Sequence, residues 1–225
     1  EPDIQQVVEA VKKFEYEPKL IRGVERTVIA CVGDERTHSM LLSRAGDTLA
    51  DRVALHALKH GAESHEVYDF LERGSDERQY ASPGFRIPTV TMTKDKYYDF
   101  VEYHTSCDDL SFVTAEALAG SLAVYQDWIE LIECNRTFAR DMPHGEYQLG
   151  KRGLYPSLGG SVNQPAAQAD GARRSEGADA SIDAAGWLMF GCDGKTDLLT
   201  IAERSGLDPF VLDATARLFE RRGLL

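Results

Sequence analysis

In DIQQVVEAVKKF the apolar residues Ile4, Val7, Val8, Val11 and Phe14 recur at intervals of three and four, with Gln5, Glu9 and Lys12 between them. That spacing predicts a helix over 4–14 with one packed face and one wet one. The next apolar stretch, RTVIACVGD at 26–34, is short, rich in β-branched residues and closed by Gly33 and Asp34. It reads as a buried strand of the parallel type, which delivers Asp34 to the loop at its carboxyl end.

A polar stretch follows, and then GDTLADRVALHALKHG predicts a second helix with Asp47 as N-cap and a stop at Gly61. HEVYDFL and IPTVTMT read as further strands, the latter with Pro88 near its start, and GSDERQYASPGFR between them as a structured loop. Thr114 is placed to cap a long helix whose Leu118, Leu122, Tyr125, Ile129 and Ile132 predict its apolar side. Strands alternating with helices imply an α/β fold with a mostly parallel sheet, whose ligand sites lie beyond the carboxyl ends of the strands. The pattern puts Asp34 and the loop at Asp76 there.

Residues 157–181 hold almost no large apolar side chain and read as a flexible linker, because such a segment buries too little to offset its ordering entropy. Beyond it, IDAAGWLMF, TDLLTIAERSG and DPFVLDATARLFERRG predict three short helices, the last with Asp208 at N-cap, Pro209 at N1 and Gly223 at C′. The short turn before the last helix suits a helix-turn-helix. The expected organisation is an α/β domain over 1–156, the linker 157–181, and a small winged-helix-like domain over 182–225.

Composition narrows the functions. The chain has 225 residues, with 37 acidic against 25 basic side chains and a net charge of -12, which disfavours nucleic acid and anionic membrane as partners. Residues 182–225 carry five basic and seven acidic side chains, so the carboxyl-terminal helices lack the basic face that phosphate binding needs. Cys31, Cys107, Cys134 and Cys192 form no CxxC pair, which argues against a zinc ribbon and for a reducing, cytoplasmic setting. No apolar run reaches the length of a membrane span, and EPDIQQVVEA has the form of no signal peptide.

Three segments in fixed order, VIACVGD, GSDERQYASPGFRIPTV and YHTSCDDL, resemble the co-catalytic zinc exopeptidases of the leucyl aminopeptidase fold. GSDERQY, EYHTS and LGKRGLYPSLGG are similar, more specifically, to bacterial polysaccharide-biosynthesis proteins with an aminopeptidase-like domain and a carboxyl-terminal winged helix. The resemblance implies a partial zinc-exopeptidase-like sheet. It also implies that Asp34 and His104 ligate metal, each serving one of two zinc ions, and that a metal-activated water attacks an amide bond in a small peptide-like or amide-containing substrate. Zinc accepts imidazole and carboxylate donors, and a two-ion site needs ligands converging from several strand ends. Asp76, Glu77, Arg78, Gln79 and Tyr103 are expected beside the site, and Asp108 or Asp109 to accept the second ring N–H of His104. Glu77 stands where the wider aminopeptidases have His.

The resemblance also places one His ligand, the bridging Asp, the general-base Glu and a further carboxylate ligand before the strand at 26–34. Residues 1–33 contain no His, and only Glu15 and Glu17 stand there as paired carboxylates. The expected chain is therefore the carboxyl-terminal part of such a hydrolase, without the amino-terminal half of the domain and with no catalytic base assigned. The alternative is a non-catalytic binding or scaffold protein that keeps the fold. An open sheet edge predicts self-association as a homo-oligomer. On the plain reading of residue types, His38, His56, His60, His65 and His144 are surface or helix-face side chains, and Cys107 is a partly buried thiol.

Overall fold

The computed structural model describes residues 26–72, 74–152, 154 and 182–225. The helix expected over 4–14 and the linker at 157–181 lie outside them. The chain divides into two compact units, Glu1–Trp128 and Ile129–Leu225.

The first unit is built on β1 (Arg26–Ile29), β2 (His38–Leu41), β3 (His65–Tyr68) and β4 (Thr89–Thr93), in the order β1-β4-β2-β3. β1 runs parallel to β4 and β2 parallel to β3, whereas β2 and β4 are antiparallel. The central strands β4 and β2 are buried along their whole length, and β1 and β3 form the edges. Helix α1 (Leu49–Gly61) buries Val53, Ala54, Ala57 and Leu58 and lies against β4 and β2. Its N-cap is Thr48 rather than Asp47: the Thr48 hydroxyl accepts from the Asp51 N–H, and the Asp51 carboxylate accepts from the Thr48 N–H in return. This reciprocal box satisfies two orphan donors at once, which Asp47 alone does not do.

Strand β2 is absent from the hydrophobic pattern. Its four residues, HSML, open with His and Ser directly after a charged stretch, and a run so short shows no alternation. Within the expected 74–86 loop, a single turn of helix, α2 (Glu77–Tyr80), forms.

Helix α3 (Ala115–Cys134) begins where expected, with the Thr114 hydroxyl accepting from Ala117 N–H at 3.1 Å. Of the expected face Tyr125 is buried, but Leu118, Leu122 and Ile129 are not. Ala117, Ser121, Val124, Tyr125 and Trp128 are buried, while Leu118, Leu122 and Ile129 are 43%, 56% and 53% exposed. Small residues set the approach: the Ser121 hydroxyl donates to the Val32 carbonyl at 2.8 Å and the Tyr125 hydroxyl to the Met92 carbonyl at 3.4 Å.

In the second unit β5 (Thr137–Ala139) pairs antiparallel with β6 (Asp193–Asp197), joined by helices α4 (Ile182–Gly191), α5 (Leu198–Ser205) and α6 (Pro209–Arg221). Its core includes Phe138, Tyr147, Leu149, Leu188, Leu198, Leu212, Phe219 and Leu224. Residues upstream of 182 thus belong to this core. The Tyr147 hydroxyl accepts from Met142 N–H and donates to the Leu224 carbonyl, which ties that upstream segment to the last residues. The caps of α6 follow the sequence: Asp208 accepts from Phe210 N–H, Pro209 opens the helix, and Gly223 takes φ 65°. The Leu224 N–H reaches the Phe219 carbonyl and the Gly223 N–H that of Glu220, each at 3.0 Å, which is a Schellman closure.

Candidate functional site

β1 and β4 run parallel and end together, where the Lys94 N–H donates to the Cys31 carbonyl at 2.9 Å. Beyond this point the chain of β1 turns, with Cys31 at φ 50°. A side chain at Gly33 would have its Cβ 2.6 Å from Val113 Cγ1, and the Gly33 carbonyl accepts from Thr114 N–H at 2.8 Å. Glycine here lets the 109–114 segment close on the strand end, and it sets the position of Asp34.

Asp34 is 3% exposed, and its Oδ1 accepts from the Arg36 N–H at 2.9 Å and from Arg36 Nε at 3.3 Å. Among the described residues no hydrogen bond engages its Oδ2. Arg36 also meets Asp95 at 2.8 Å and Glu102 at 3.6 Å, and its guanidinium lies 4.4 Å over the Phe100 ring and 4.9 Å over Phe112. The crowding of like charge shows in the neighbours. Burial, then Asp34, pushes the Cys31 thiol up to about 11, and burial raises the Asp95 carboxyl against the pull of Arg36.

His104 sits in the loop that follows. It is exposed, its backbone is at φ 57°, and its ring stacks on Tyr103 at 4.0 Å and 13°. Tyr103 in turn packs edge-on against Tyr98 at 4.9 Å and Phe100 at 5.4 Å. A non-glycine residue in the left-handed region costs on the order of 1 kcal/mol, a strain that recurs at ligand-handling positions. Asp109 Oδ1 takes the Ser111 hydroxyl and N–H, which hold the carboxyl below the usual range, and among the described residues no hydrogen bond joins it to the His104 ring. Asp108 is exposed, as is Cys107, so the latter is not the partly buried thiol expected.

Of the residues expected beside the site, Asp76, Arg78 and Gln79 are exposed, and the Asp76 side chain caps nothing. Glu77 is the inward one. It is fully buried, and its Oε1 accepts from Gly74 and Ser75 N–H at 3.2 and 3.1 Å. Its charge, after burial, helps to push up the Tyr97 phenol.

Sequence reading missed Arg36, His38, Lys94, Asp95 and Glu102. His38 is no surface residue: it is 8% exposed, with Lys94 Nζ 3.5 Å from its Nδ1. Burial first, then Lys94, brings the imidazole down to about 4. The available signal was Lys94 directly after a strand expected to be buried.

Asp34 and His104 are donors of the kind zinc takes, one with an uncommitted oxygen and the other an exposed imidazole. They fit a metal only as part of a larger donor set, because among the described residues no three His, Cys, Asp or Glu side chains converge on one point. No disulfide joins the four cysteines. Among the described residues no helix is long and apolar enough to cross a membrane.

Residues 14–135 match the family described as Domain of unknown function (DUF4910), and residues 136–225 match a winged helix-turn-helix family. A Clostridium acetobutylicum protein named as a polysaccharide biosynthesis protein with aminopeptidase-like domain is 35% identical over 181 residues, covering 80% of this chain and 38% of that one. A crystal structure of a protein from the same organism, named as a peptidase, superposes with a TM-score of 0.73 at 29% identity over 96% of this chain and 44% of that chain. The chain spans less than half the length of these relatives. It belongs to the family described as Domain of unknown function (DUF4910), with an aminopeptidase-like α/β fold joined to a carboxyl-terminal winged helix.

Proposed function

We propose that this chain supplies the carboxyl-terminal part of a zinc-dependent aminopeptidase-like hydrolase acting on a small amide-containing substrate in surface-polysaccharide biosynthesis. The observation that carries this is the buried Asp34 at the end of β1, held through Oδ1 with Oδ2 uncommitted. A carboxylate buried at a strand's carboxyl end is costly unless it serves a partner, and such positions concentrate function. The fold of a structure named as a peptidase and a relative named for polysaccharide biosynthesis and an aminopeptidase-like domain support the same reading. Asp34 and His104 would each hold one ion, with the other ligands supplied by residues beyond the described ones. When bound, such ions supply a Lewis acid and an acidified water.

Metal analysis of the protein purified at its natural length tests this. Stoichiometric zinc is expected, with loss of about one equivalent in each of Asp34→Ala and His104→Ala. Wild-type protein free of zinc after zinc loading would overturn it. That result would favour a second reading, a non-catalytic binding or scaffold protein, which the engagement of Asp34 by Arg36 also fits.

A further inference from the structure

Arg36 touches residues from three segments at this strand end: Asp34, Asp95, and Phe100 with Glu102 and Phe112. Asp34 belongs to the turn after β1, Asp95 follows β4, and Phe100 and Glu102 lead into Tyr103 and His104. Phe112 closes the same loop, its ring stacked at 5.8 Å on Phe100. A guanidinium is planar and forked, so it can serve several carboxylates and present its flat faces to rings in one pose. Lysine, a point charge on a flexible stem, cannot do both.

The chemistry at Asp34 is asymmetric. The backbone N–H and the Nε of Arg36 both fall on Oδ1, so one oxygen fixes the carboxylate's orientation while the other is left for a ligand. Carboxylates that bind a metal through one oxygen are commonly held in this way through the second. The Arg36 side chain is 35% exposed and Asp34 3%, so a guanidinium that still reaches the surface orients and compensates a buried carboxylate.

Resting on the function proposed above, we propose that Arg36 is the positioning residue of the site. It orients Asp34 and clamps the 95–112 loop, so that the loop's His104 is presented against the same strand end.

The test uses Arg36→Met, which keeps an apolar stem between Phe100 and Phe112, and Arg36→Lys, which keeps the charge. Hydrogen exchange of the full chain is expected to rise at least about tenfold for amides in 95–112 of Arg36→Met, with those of α1 and β4 unchanged. In the natural-length protein, zinc affinity is expected to weaken about 10- to 100-fold, with Arg36→Lys falling between. Unchanged zinc affinity in Arg36→Met, or exchange that rises evenly through the whole unit, overturns the positioning role. If wild type binds no zinc, the proposed hydrolase fails on its own, and the exchange measurement still decides the clamp: unchanged protection over 95–112 sinks it.

Discussion

The Nζ of Lys94 lies 3.5 Å from Nδ1 of His38, with both side chains buried where β2 begins and β4 ends. Two basic groups are thus held together away from water. Burial also lowers the Lys94 ammonium, against the pull of Asp34 and Glu35. The imidazole is the one that gives way, at about 4.

This makes stability depend on acidity. The unfolded imidazole titrates near 6.5, so between that value and about 4 the unfolded chain binds a proton that the folded one refuses. The His38 contribution is complete above pH 6.5 and is lost as the pH falls toward 4, on the order of 3 kcal/mol at the low end. Urea unfolding at pH 7.5, 5.5 and 4.5 should show the fall, and His38→Gln should flatten it. An equal slope in wild type and variant would remove the assignment to His38.

Asp51 is fully buried and accepts from Ser43 N–H at 2.6 Å, Ser43 Oγ at 2.5 Å, Thr48 N–H at 2.9 Å and Thr48 Oγ at 2.6 Å. Asp51→Ala strands all of these donors, and a loss of about 2–4 kcal/mol is expected. Asp51→Asn, which keeps an acceptor oxygen, should lose less. Chemical denaturation of the two variants measures the difference.

At Gly33 an added methyl meets Val113 Cγ1 at 2.6 Å. Gly33→Ala should cost about 1–3 kcal/mol through overpacking, and Val113→Ala in the same chain should recover part of it. Strict additivity of the two changes in a double-mutant cycle would show that the contact is not the cause.

Gly223 offers the opposite case, since a Cβ there meets nothing within 4 Å but the backbone is at φ 65°. Gly223→Ala should destabilise the carboxyl-terminal unit by about 1 kcal/mol for conformational reasons alone. Gly223→Asn, which tolerates the left-handed region better, should cost less in a thermal melt.

The face of α3 can be settled by two substitutions. Val124 is fully buried and Leu122 is 56% exposed. Val124→Ala is expected to cost about 2 kcal/mol, and Leu122→Ser to stay within about 0.5 kcal/mol of wild type. The reverse order of unfolding midpoints would restore the face expected from the large side chains.

Local chemistry explains what could be read without coordinates. The strands at β1, β3 and β4, the helices α1 and α3 to α6, and the caps at Asp208, Pro209 and Gly223 all rest on residues within one turn or one strand of each other. The order of the segments around Asp34, Glu77 and His104 likewise carried the family. Strand β2 was hidden because its burial comes from neighbours on both sides, β4 and β3, not from its own composition. β6, sequence DGKTD, was hidden for a related reason: it exists only through pairing with β5, far upstream.

By itself, then, the sequence determined the α/β class, the helical carboxyl-terminal unit and the family, since periodicity, capping and motif order are local properties. Tertiary structure decided which face of α3 is buried, the antiparallel step between β2 and β4, and the contacts of Arg36, His38 and Lys94. Those depend on which charges are desolvated together and which carboxylates one guanidinium can reach, and both are set by distance in space, not by position along the chain.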